Sequence, residues 1–409
     1  MKKCLSLLLV LVLVTVQIGV MPVYADEETV VQLSEEDRVQ AAVEALFEEK
    51  RAFLSDEKSN LNVLSELFIT QPDTVSDREF WERCIIAERE TLRAGGNKYK
   101  NTSMDLRFDK IVVSGIKATV EVYEWFSFEY YDVLTNESVL NMQSGMGLDY
   151  EITLVKEGDS WLIDGFSFDD PAYESLKDPN VSITSVVQGR MTSGQERVEF
   201  MDFGPVNDVS SVDPCVVETV TVTIKRNRAV AYALQYAGNL RNPLFLDCSS
   251  SDLGGDCQNY ASQCIWYGLE GINTASAINS HAAPMIDISG NSWNWYMDDY
   301  GYHSASWTAV NPYANYIAAN NTILGLYGTV YTGVRYAQIG DVIQISDSDG
   351  FYHSYIVVQT TGTFGSRTPA NIYVCAHTRD ITTTQLSTIS ADSSIFRTVR
   401  VNGVRYPDT

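Results

Sequence analysis

The amino-acid sequence predicts an α+β protein. Three observations predict this class: apolar residues at helical spacing come first, runs that alternate apolar and polar residues follow, and the later part of the chain again has a helical pattern followed by strands. The chain has 409 residues. Because single hydrophobic cores stop growing at roughly 250 to 300 residues, we expect two folded units. The hydrophobic fraction of 45% and charged fraction of 20% are typical of globular proteins.

The first 25 residues have the features of a secretory signal peptide. Lys2 and Lys3 precede an apolar run from Leu5 to Val14, and a small-residue site ends at Ala25. The apolar run is shorter than the ~20 residues that a membrane-spanning helix needs. We therefore expect residues 1–25 to be removed. The mature protein is then expected to be secreted, extracellular or associated with the cell wall, without a membrane span.

The charge balance excludes one large class of partner. The sequence has 53 acidic and 29 basic residues, for a net charge of -24. A phosphate backbone would be repelled by such a surface, so we expect no nucleic-acid partner. The cysteines after residue 25 show no tight, alternating spacing, and a chain of this length does not need disulfides to build a core.

Residues 26–170 are predicted to form the first unit. Acidic residues after Ser34 suit a helix start, apolar residues follow at helical spacing, and a second helical pattern runs from Arg78 to Arg93. Alternating residues then predict strands, at 104–108, 120–128, 148–154 and 161–164. This order resembles the cone-shaped, nuclear-transport-factor-like fold, in which helices pack on a curved antiparallel sheet.

A change in composition separates this unit from the next. Residues 171–225 lack sustained periodicity and are predicted to be a linker with a short strand near 216–224. Residues 226–409 are predicted to form the second unit, which opens with a helix that Gly238 closes.

Cys257 is the candidate nucleophile of the second unit. Two glycines and Asp256 precede it, Asp256 is a good N-cap, and a helical pattern continues until Gly268. Cys257 then lies in the first helical turn, where unpaired amides and the helix dipole stabilise a thiolate, so we expect its thiol pKa to fall. The alternative for Cys257 is that of a small buried residue at a helix start; Cys264, two turns later on the same side, is expected to be a core residue.

His353 is the candidate general base. It follows a predicted strand and a polar turn, and it begins an apolar strand that can meet a helix start packed on the same sheet. If residues 372–377 pair antiparallel with residues 353–359, His377 lies opposite His353 and can orient its imidazole. Asp380, just beyond the second strand, is the alternative third residue.

A metal site is the rival interpretation of several of these side chains, namely Cys257, Cys264, Cys375 and His377. Cys257 and Cys264 are seven positions apart, about 10.5 Å along a helix, which is too far to share a zinc ion with ligands at ~2.3 Å. We therefore expect neither a metal nor an organic cofactor.

Several motifs of the second unit resemble the family called "Putative amidase domain". They are GGDCQNYASQC around Cys257, the pair Trp295-Tyr296, SASW ending at Trp307, GDVIQ before His353-Ser354, and AHTRD around His377. That family is similar to papain-like cysteine peptidases and CHAP-type amidases that act on cell walls. The resemblance implies a papain-like α+β domain whose catalytic helix packs on an antiparallel sheet. It also implies an acyl-enzyme route in which Cys257 attacks an amide, His353 transfers the proton and His377 holds the imidazole.

The resemblance and the predicted compartment imply peptidoglycan or peptides as substrates. Candidate substrate-binding residues are Asp256, Trp295, Tyr296 and Trp307, since a loop dense in aromatic residues can form the wall of a groove for sugar or peptide. The alternative function is that of a secreted binding or adaptor protein with an inactive amidase-like domain. The presence of both Cys257 and His353 favours the enzyme.

Overall fold

A computed structural model describes residues 33–192, 219–249, 255–270, 295, 297, 303–319, 325–347 and 349–407. The predicted signal peptide lies outside the described residues. Residues Glu35–Thr409 form one compact unit. None of the helices among the described residues is long and apolar enough to cross a bilayer.

The predicted α+β class is confirmed. The helices are α1 (Glu35–Leu54), α2 (Leu64–Leu67), α3 (Pro72–Ala94), α4 (Ile183–Thr192), α5 (Arg226–Gln235), α6 (Cys257–Glu270), α7 (Ala305–Thr308) and α8 (Val310–Ala319). The strands are β1 (Asn97–Ser114), β2 (Lys117–Asp132), β3 (Ser144–Glu157), β4 (Ser160–Ser167), β5 (Thr219–Thr223), β6 (Gly325–Thr332), β7 (Val342–Asp347), β8 (Gly350–Thr360), β9 (Ile372–Ala376), β10 (Ile381–Gln385) and β11 (Ile395–Pro407).

The N-terminal elements follow from the sequence periodicities. In α1 the buried residues Val39, Val43, Leu46 and Phe47 lie on one face, as the helical spacing predicts. The strands β1, β2, β3 and β4 pair antiparallel in chain order, and the turn between β3 and β4 has Gly158 at a positive φ of 62°. A positive φ is accessible to glycine without steric cost, so this residue suits the hairpin. The two predicted helices and four predicted strands are confirmed.

The strands of both halves of the chain belong to one sheet. Its order is β1-β2-β3-β10-β9-β8-β7-β11-β5, with β4 on β3 and β6 on β11. The connection between the halves is the pairing of β3 with β10, at Met146 with Ile381 and Gly145 with Thr382. The predicted boundaries of two separate units stay a prediction. The sheet itself continues from one half of the chain to the other, because residues 145–146 of β3 are hydrogen-bonded to β10.

Two local expectations are wrong. A 3-10 turn (Pro171–Lys177) and α4 lie within the predicted linker, and α4 buries only Val186 and Arg190, which is too few residues to give a visible helical period. Gly268 does not end α6, which continues to Glu270. A Cβ at Gly268 would lie 3.0 Å from Ala229 and 3.1 Å from Ile224, so this glycine permits close packing against α5.

The two faces of the C-terminal strands are covered differently. Val342 and Ile356 belong to the core that includes residues of α6, whereas Ile345 and Tyr355 belong to a separate apolar cluster on the opposite face. Because strand side chains alternate between faces, this difference fixes where each residue near Cys257 points.

Candidate functional site

Cys257 is the first residue of α6, as predicted. The helix begins there because Asp256 accepts hydrogen bonds at the preceding position and because Gly255, at φ 103°, allows the chain to turn. Cys257 is only 4% exposed. Hydrogen bonding from the backbone N–H groups of Ser354, Gln258 and Cys257 itself acts to lower the pKa of the thiol. The sulfur therefore lies between the free amides of a helix start and the backbone of β8.

The expected fall in the Cys257 pKa is wrong for this structure. Burial raises the pKa of the thiol to about 11, and the nearby Asp256 carboxylate adds to the rise. The backbone N–H groups act in the opposite direction but are outweighed. The reason is that an enclosed thiolate loses its hydration, a cost that helical position alone does not reveal.

Asp256 organises the start of α6. Its Oδ2 lies 2.6 Å from Nδ1 of His377 and 3.3 Å from Nε of Arg241. Its Oδ1 accepts from the Cys248 backbone N–H at 3.0 Å and from the Asn259 side-chain amide at 2.6 Å. The side chain is 1% exposed. Asp256 is therefore a buried residue that links several groups around the helix start. In this structure it does not line an open groove, the position that the sequence suggested for it.

His377 packs on the helix that carries Cys257. Its ring stacks on Tyr260 with centroids 3.9 Å apart, and its Nε2 lies 2.5 Å from the carbonyl oxygen of Tyr236 at the end of α5. The two ring nitrogens thus lie against two oxygen atoms, one of the Asp256 carboxylate and one of the Tyr236 carbonyl. His377 therefore joins the end of α5 to the start of α6, and both of its ring nitrogens are occupied away from His353.

The predicted register of β8 and β9 is wrong by one residue. Ile356 pairs with Cys375 and Val357 with Val374, a register that, continued, sets His377 opposite Ser354 and not opposite His353. A shift of one residue moves a strand side chain to the other face of the sheet. This explains why His377 faces α6. The alternative third residue, Asp380, contacts Tyr123 and Arg241 instead.

His353 lies in β8 and is 4% exposed. Its strand partner is Ile345 and its ring lies 4.4 Å from that of Tyr355, so it points toward the apolar cluster opposite α6. Burial, together with the positive charge of Arg379, lowers the pKa of the imidazole to about 3. Its Nε2 is buried without a hydrogen-bond partner among the described residues. Such an unsatisfied nitrogen is unusual in a protein interior.

The structure brings Cys257 close to the β8 backbone beside His353. Hydrogen bonding from the backbone N–H of Ser354, the next residue, acts on the thiol, and Cys257 is also near Tyr355, which shares the His353 face. Within the described part of the chain, no hydrogen bond joins Cys257 to His353. The described structure thus holds a neutral thiol and a neutral imidazole on the same short length of strand.

A buried polar network that the sequence did not reveal fixes α6 to the sheet. Gln258 Oε1 accepts from Ser354 Oγ at 2.7 Å and from Gln344 Nε2 at 3.0 Å. Gln344 Oε1 in turn accepts from Arg397 Nε at 2.6 Å. Gln258 and Ser354 directly follow Cys257 and His353 in sequence, so the network sets the distance between the helix start and β8. Gln258 and Ser354 are 96 positions apart in the sequence, so their hydrogen bond forms only in the folded protein.

The predicted aromatic groove wall is not present in the described residues. Trp295 and Trp307 are 1% and 0% exposed, and their rings pack together with centroids 4.4 Å apart. Trp307 Nε1 donates to Asn259 of α6 at 2.8 Å. These two residues therefore support the helix from within the core. Tyr296 lies outside the described residues.

Over the ranges that the structure describes, no group of three or more His, Cys, Asp or Glu side chains is arranged to hold a metal ion. Cys257, Cys264 and Cys375 are all buried free cysteines.

Comparisons with known proteins support the C-terminal assignment. Residues 223–400 match the family described as Putative amidase domain. Among solved structures, the intermembrane space region of the chloroplast protein ARC6 matches 34% of this chain and 98% of its own length, at 15% identity and a TM-score of 0.24, a likeness too weak to support a conclusion. No curated protein matches this chain. The match to the family model includes Cys257, His353 and His377. The papain-like and CHAP-like subtypes and the N-terminal cone stay predictions.

Proposed function

We propose that this chain is a secreted, cysteine-dependent amide hydrolase with Cys257 as nucleophile and His353 as general base. The observation that carries the proposal is the setting of Cys257. It is the first residue of a helix inside the segment that matches the amidase family, and backbone N–H groups at that helix start favour its thiolate against the cost of burial. Helix starts of this kind stabilise anions on sulfur or on a substrate oxygen.

The proposed reaction has two halves. Cys257 Sγ forms a bond to the amide carbonyl carbon while its proton passes to His353. The tetrahedral oxyanion is met by backbone N–H groups at the start of α6, with those of Cys257 and Gln258 as the donors. His353 then gives the proton to the leaving amine as the C–N bond breaks. Water, activated by His353, hydrolyses the thioester and restores the thiol.

Burial determines how this reaction starts. Because both groups are uncharged in the resting structure, the thiol loses its proton only when the substrate carbonyl is in place to receive the sulfur. A pair of this kind has little reactivity toward bystander electrophiles and gains it on binding substrate. Because His353 points toward the apolar cluster opposite α6 and its Nε2 has no described partner, the proposal requires the bound substrate to bring the imidazole within hydrogen-bond reach of Cys257.

His377 has a different part in this proposal from the one that the sequence suggested. With Asp256 it holds the start of α6, and so positions Cys257, through the contact of Nδ1 with Oδ2 at 2.6 Å. Aspartate and histidine here act as support for the nucleophile helix. His353 is then the only proposed proton-transfer residue.

We infer peptidoglycan as the substrate class, either its stem peptides or the sugar–peptide amide. The support is the family match together with the predicted export of the chain. The test is digestion of purified peptidoglycan by the full mature chain, with the fragments identified by mass. Free lactyl groups on the sugars together with complete stem peptides indicate the sugar–peptide amide, whereas shortened stem peptides indicate a peptidase.

Three variants tie the fragments to the site. We expect Cys257→Ala and His353→Gln each to abolish the fragments, because each removes an atom that the reaction needs. Cys264→Ala is the matched control, since Cys264 is a buried cysteine on the same helix with no part in the reaction. Fragments that persist in Cys257→Ala would refute the proposed nucleophile. No fragments from the parent chain would favour the inactive binding protein.

A further inference from the structure

We propose that the N-terminal half of the chain supplies a positioning residue to the candidate active site: Asp170 holds the guanidinium of Arg379 beside His353 and balances its charge. The catalytic meaning of this inference rests on the function proposed above. The structural part of the inference concerns the turn at residues 377–380 and the segment that ends at residue 170. A titration of His353 tests this structural part without any need for enzyme activity.

The ion pair between the two residues is enclosed and geometrically fixed. Arg379 Nη2 lies 2.5 Å from Asp170 Oδ2, and the two side chains are 19% and 5% exposed. Arg379 Nη1 also donates to the Ile389 carbonyl at 2.9 Å. Asp170 Oδ1 accepts from the Ala172 backbone N–H at 2.9 Å, which caps the 3-10 turn. Each partner is thus held by a second contact of its own, so the pair has one arrangement.

Arg379 is the cation that lies near enough to His353 to influence its imidazole. Its charge acts on His353 and on two tyrosines of β8, Tyr352 and Tyr355. Asp170 acts on the same two tyrosines with the opposite sign. From α6, Cys257 acts on Tyr355. The charged groups described around the imidazole and its neighbouring tyrosines are therefore one cation, Arg379 of the C-terminal half, and two carboxylates. These are Asp170 of the N-terminal half and Asp347 at the end of β7, which acts on Tyr352.

This arrangement matters because the proposed reaction creates a positive charge on His353. A neighbouring cation without a partner would oppose that charge strongly in a site from which water is excluded. Asp170 offsets the cation, so the imidazolium becomes accessible as the thiol gives up its proton. Removal of the carboxylate alone leaves a buried unpaired charge, which is more harmful than removal of both partners.

The turn that carries Arg379 is tied to the N-terminal half at a second point. Asp380 Oδ2 accepts from Tyr123 OH at 2.9 Å, and the Asp380 carbonyl accepts from the Gly147 N–H at 3.1 Å. A Cβ at Gly147 would lie 1.9 Å from Tyr123 OH, so only glycine lets this tyrosine cross β3 to reach the turn. Two successive residues of the turn, Arg379 and Asp380, thus each have a side-chain partner in the N-terminal half.

The first experiment compares kinetics in the full mature chain. We expect Asp170→Asn to lower kcat by about 10-fold or more with little change in KM, because the substrate does not touch Asp170. Asp170→Glu should restore most of the activity. The double variant D170N/R379Q should be more active than D170N, because the unpaired cation is gone. Asp169→Asn is the matched control, since it removes the adjacent carboxylate and should behave as the parent.

The second experiment is nuclear magnetic resonance titration of the histidines. The chain has 4 histidines, so His353→Gln identifies the signal of His353. We expect Arg379→Gln to raise the pKa of His353 above the parent value of about 3, while Arg335→Gln, an exposed arginine, leaves it unchanged. An unchanged His353 titration in Arg379→Gln, or a double variant as inactive as D170N, would overturn the inference. The titration does not depend on enzyme turnover. An inactive parent chain would therefore refute the proposed function, and the titration would still decide whether the charge of Arg379 acts on His353.

Discussion

Replacing Asp256 with alanine tests whether the start of α6 depends on a buried charged hub. The substitution removes the acceptor of His377 Nδ1 at 2.6 Å and of Arg241 Nε at 3.3 Å. It also removes the acceptor of the Cys248 backbone N–H. Breaking a buried ion pair by deleting one partner costs roughly 3 to 5 kcal/mol. We therefore expect Asp256→Ala to lower the free energy of unfolding by about this amount.

The assay is urea unfolding followed by tryptophan fluorescence, for which the chain offers 7 tryptophans. A double-mutant cycle with His377→Ala isolates the pair, and we expect a coupling energy of about 1 to 3 kcal/mol because both side chains are 1% exposed. Asp247→Ala is the matched control: this aspartate is 3.9 Å from the same Arg241 but 52% exposed, so its loss should cost at most about 1 kcal/mol. A coupling energy below roughly 0.5 kcal/mol would refute the view that Asp256 and His377 form one structural unit.

Three further predictions concern other parts of the molecule. The thiol of Cys257 has a pKa of about 11, so at pH 7 it should react with iodoacetamide roughly 300-fold more slowly than a cysteine of pKa ~8.5. The rate of this reaction should continue to rise with pH well beyond pH 9. Selective labelling of Cys257 at pH ~6 would instead show that its thiol is ionised in solution. Gly147→Ala should destabilise the chain by about 1 to 3 kcal/mol in urea unfolding, because the new Cβ would lie 1.9 Å from Tyr123 OH. The double variant with Tyr123→Phe should regain part of the lost stability. Lys50→Met should lower the free energy of unfolding by about 3 kcal/mol or more, because it leaves the buried Glu124 carboxylate without its ion-pair partner. A variant that also carries Glu124→Gln should be more stable than Lys50→Met alone. The opposite order of stabilities would contradict the reasoning.

Features set by neighbouring residues could be predicted from the sequence. The start of α6 at Cys257 depends on Asp256 and Gly255, which are adjacent in the chain, and the hairpin of β3 and β4 depends on the turn at Gly158. Local periodicity likewise predicted α1 and the strands that follow. Local steric and hydrogen-bonding preferences are visible in a short window of sequence, so these elements were correctly placed.

Features that depend on distant partners could not be predicted. The β8–β9 register changes by one residue at an irregularity between Val357 and Gln359, and the sequence there gives no sign of it. The contact of His377 with Asp256 joins positions 121 apart. The rise in the Cys257 pKa depends on how completely the fold encloses the sulfur. In each case the deciding quantity, register or desolvation, belongs to tertiary structure.

The hydrogen bonding of β3 to β10 limits how this chain can be divided. A fragment cut to the family match, residues 223–400, would lose β5 and the end of β11, and β10 would present open backbone donors and acceptors where Met146 and Gly145 had been. Uncovered strand edges recruit other strands, so such a fragment should self-associate at concentrations where the whole chain stays monodisperse. Biochemical work on the C-terminal half is therefore best done with its N-terminal neighbour still attached.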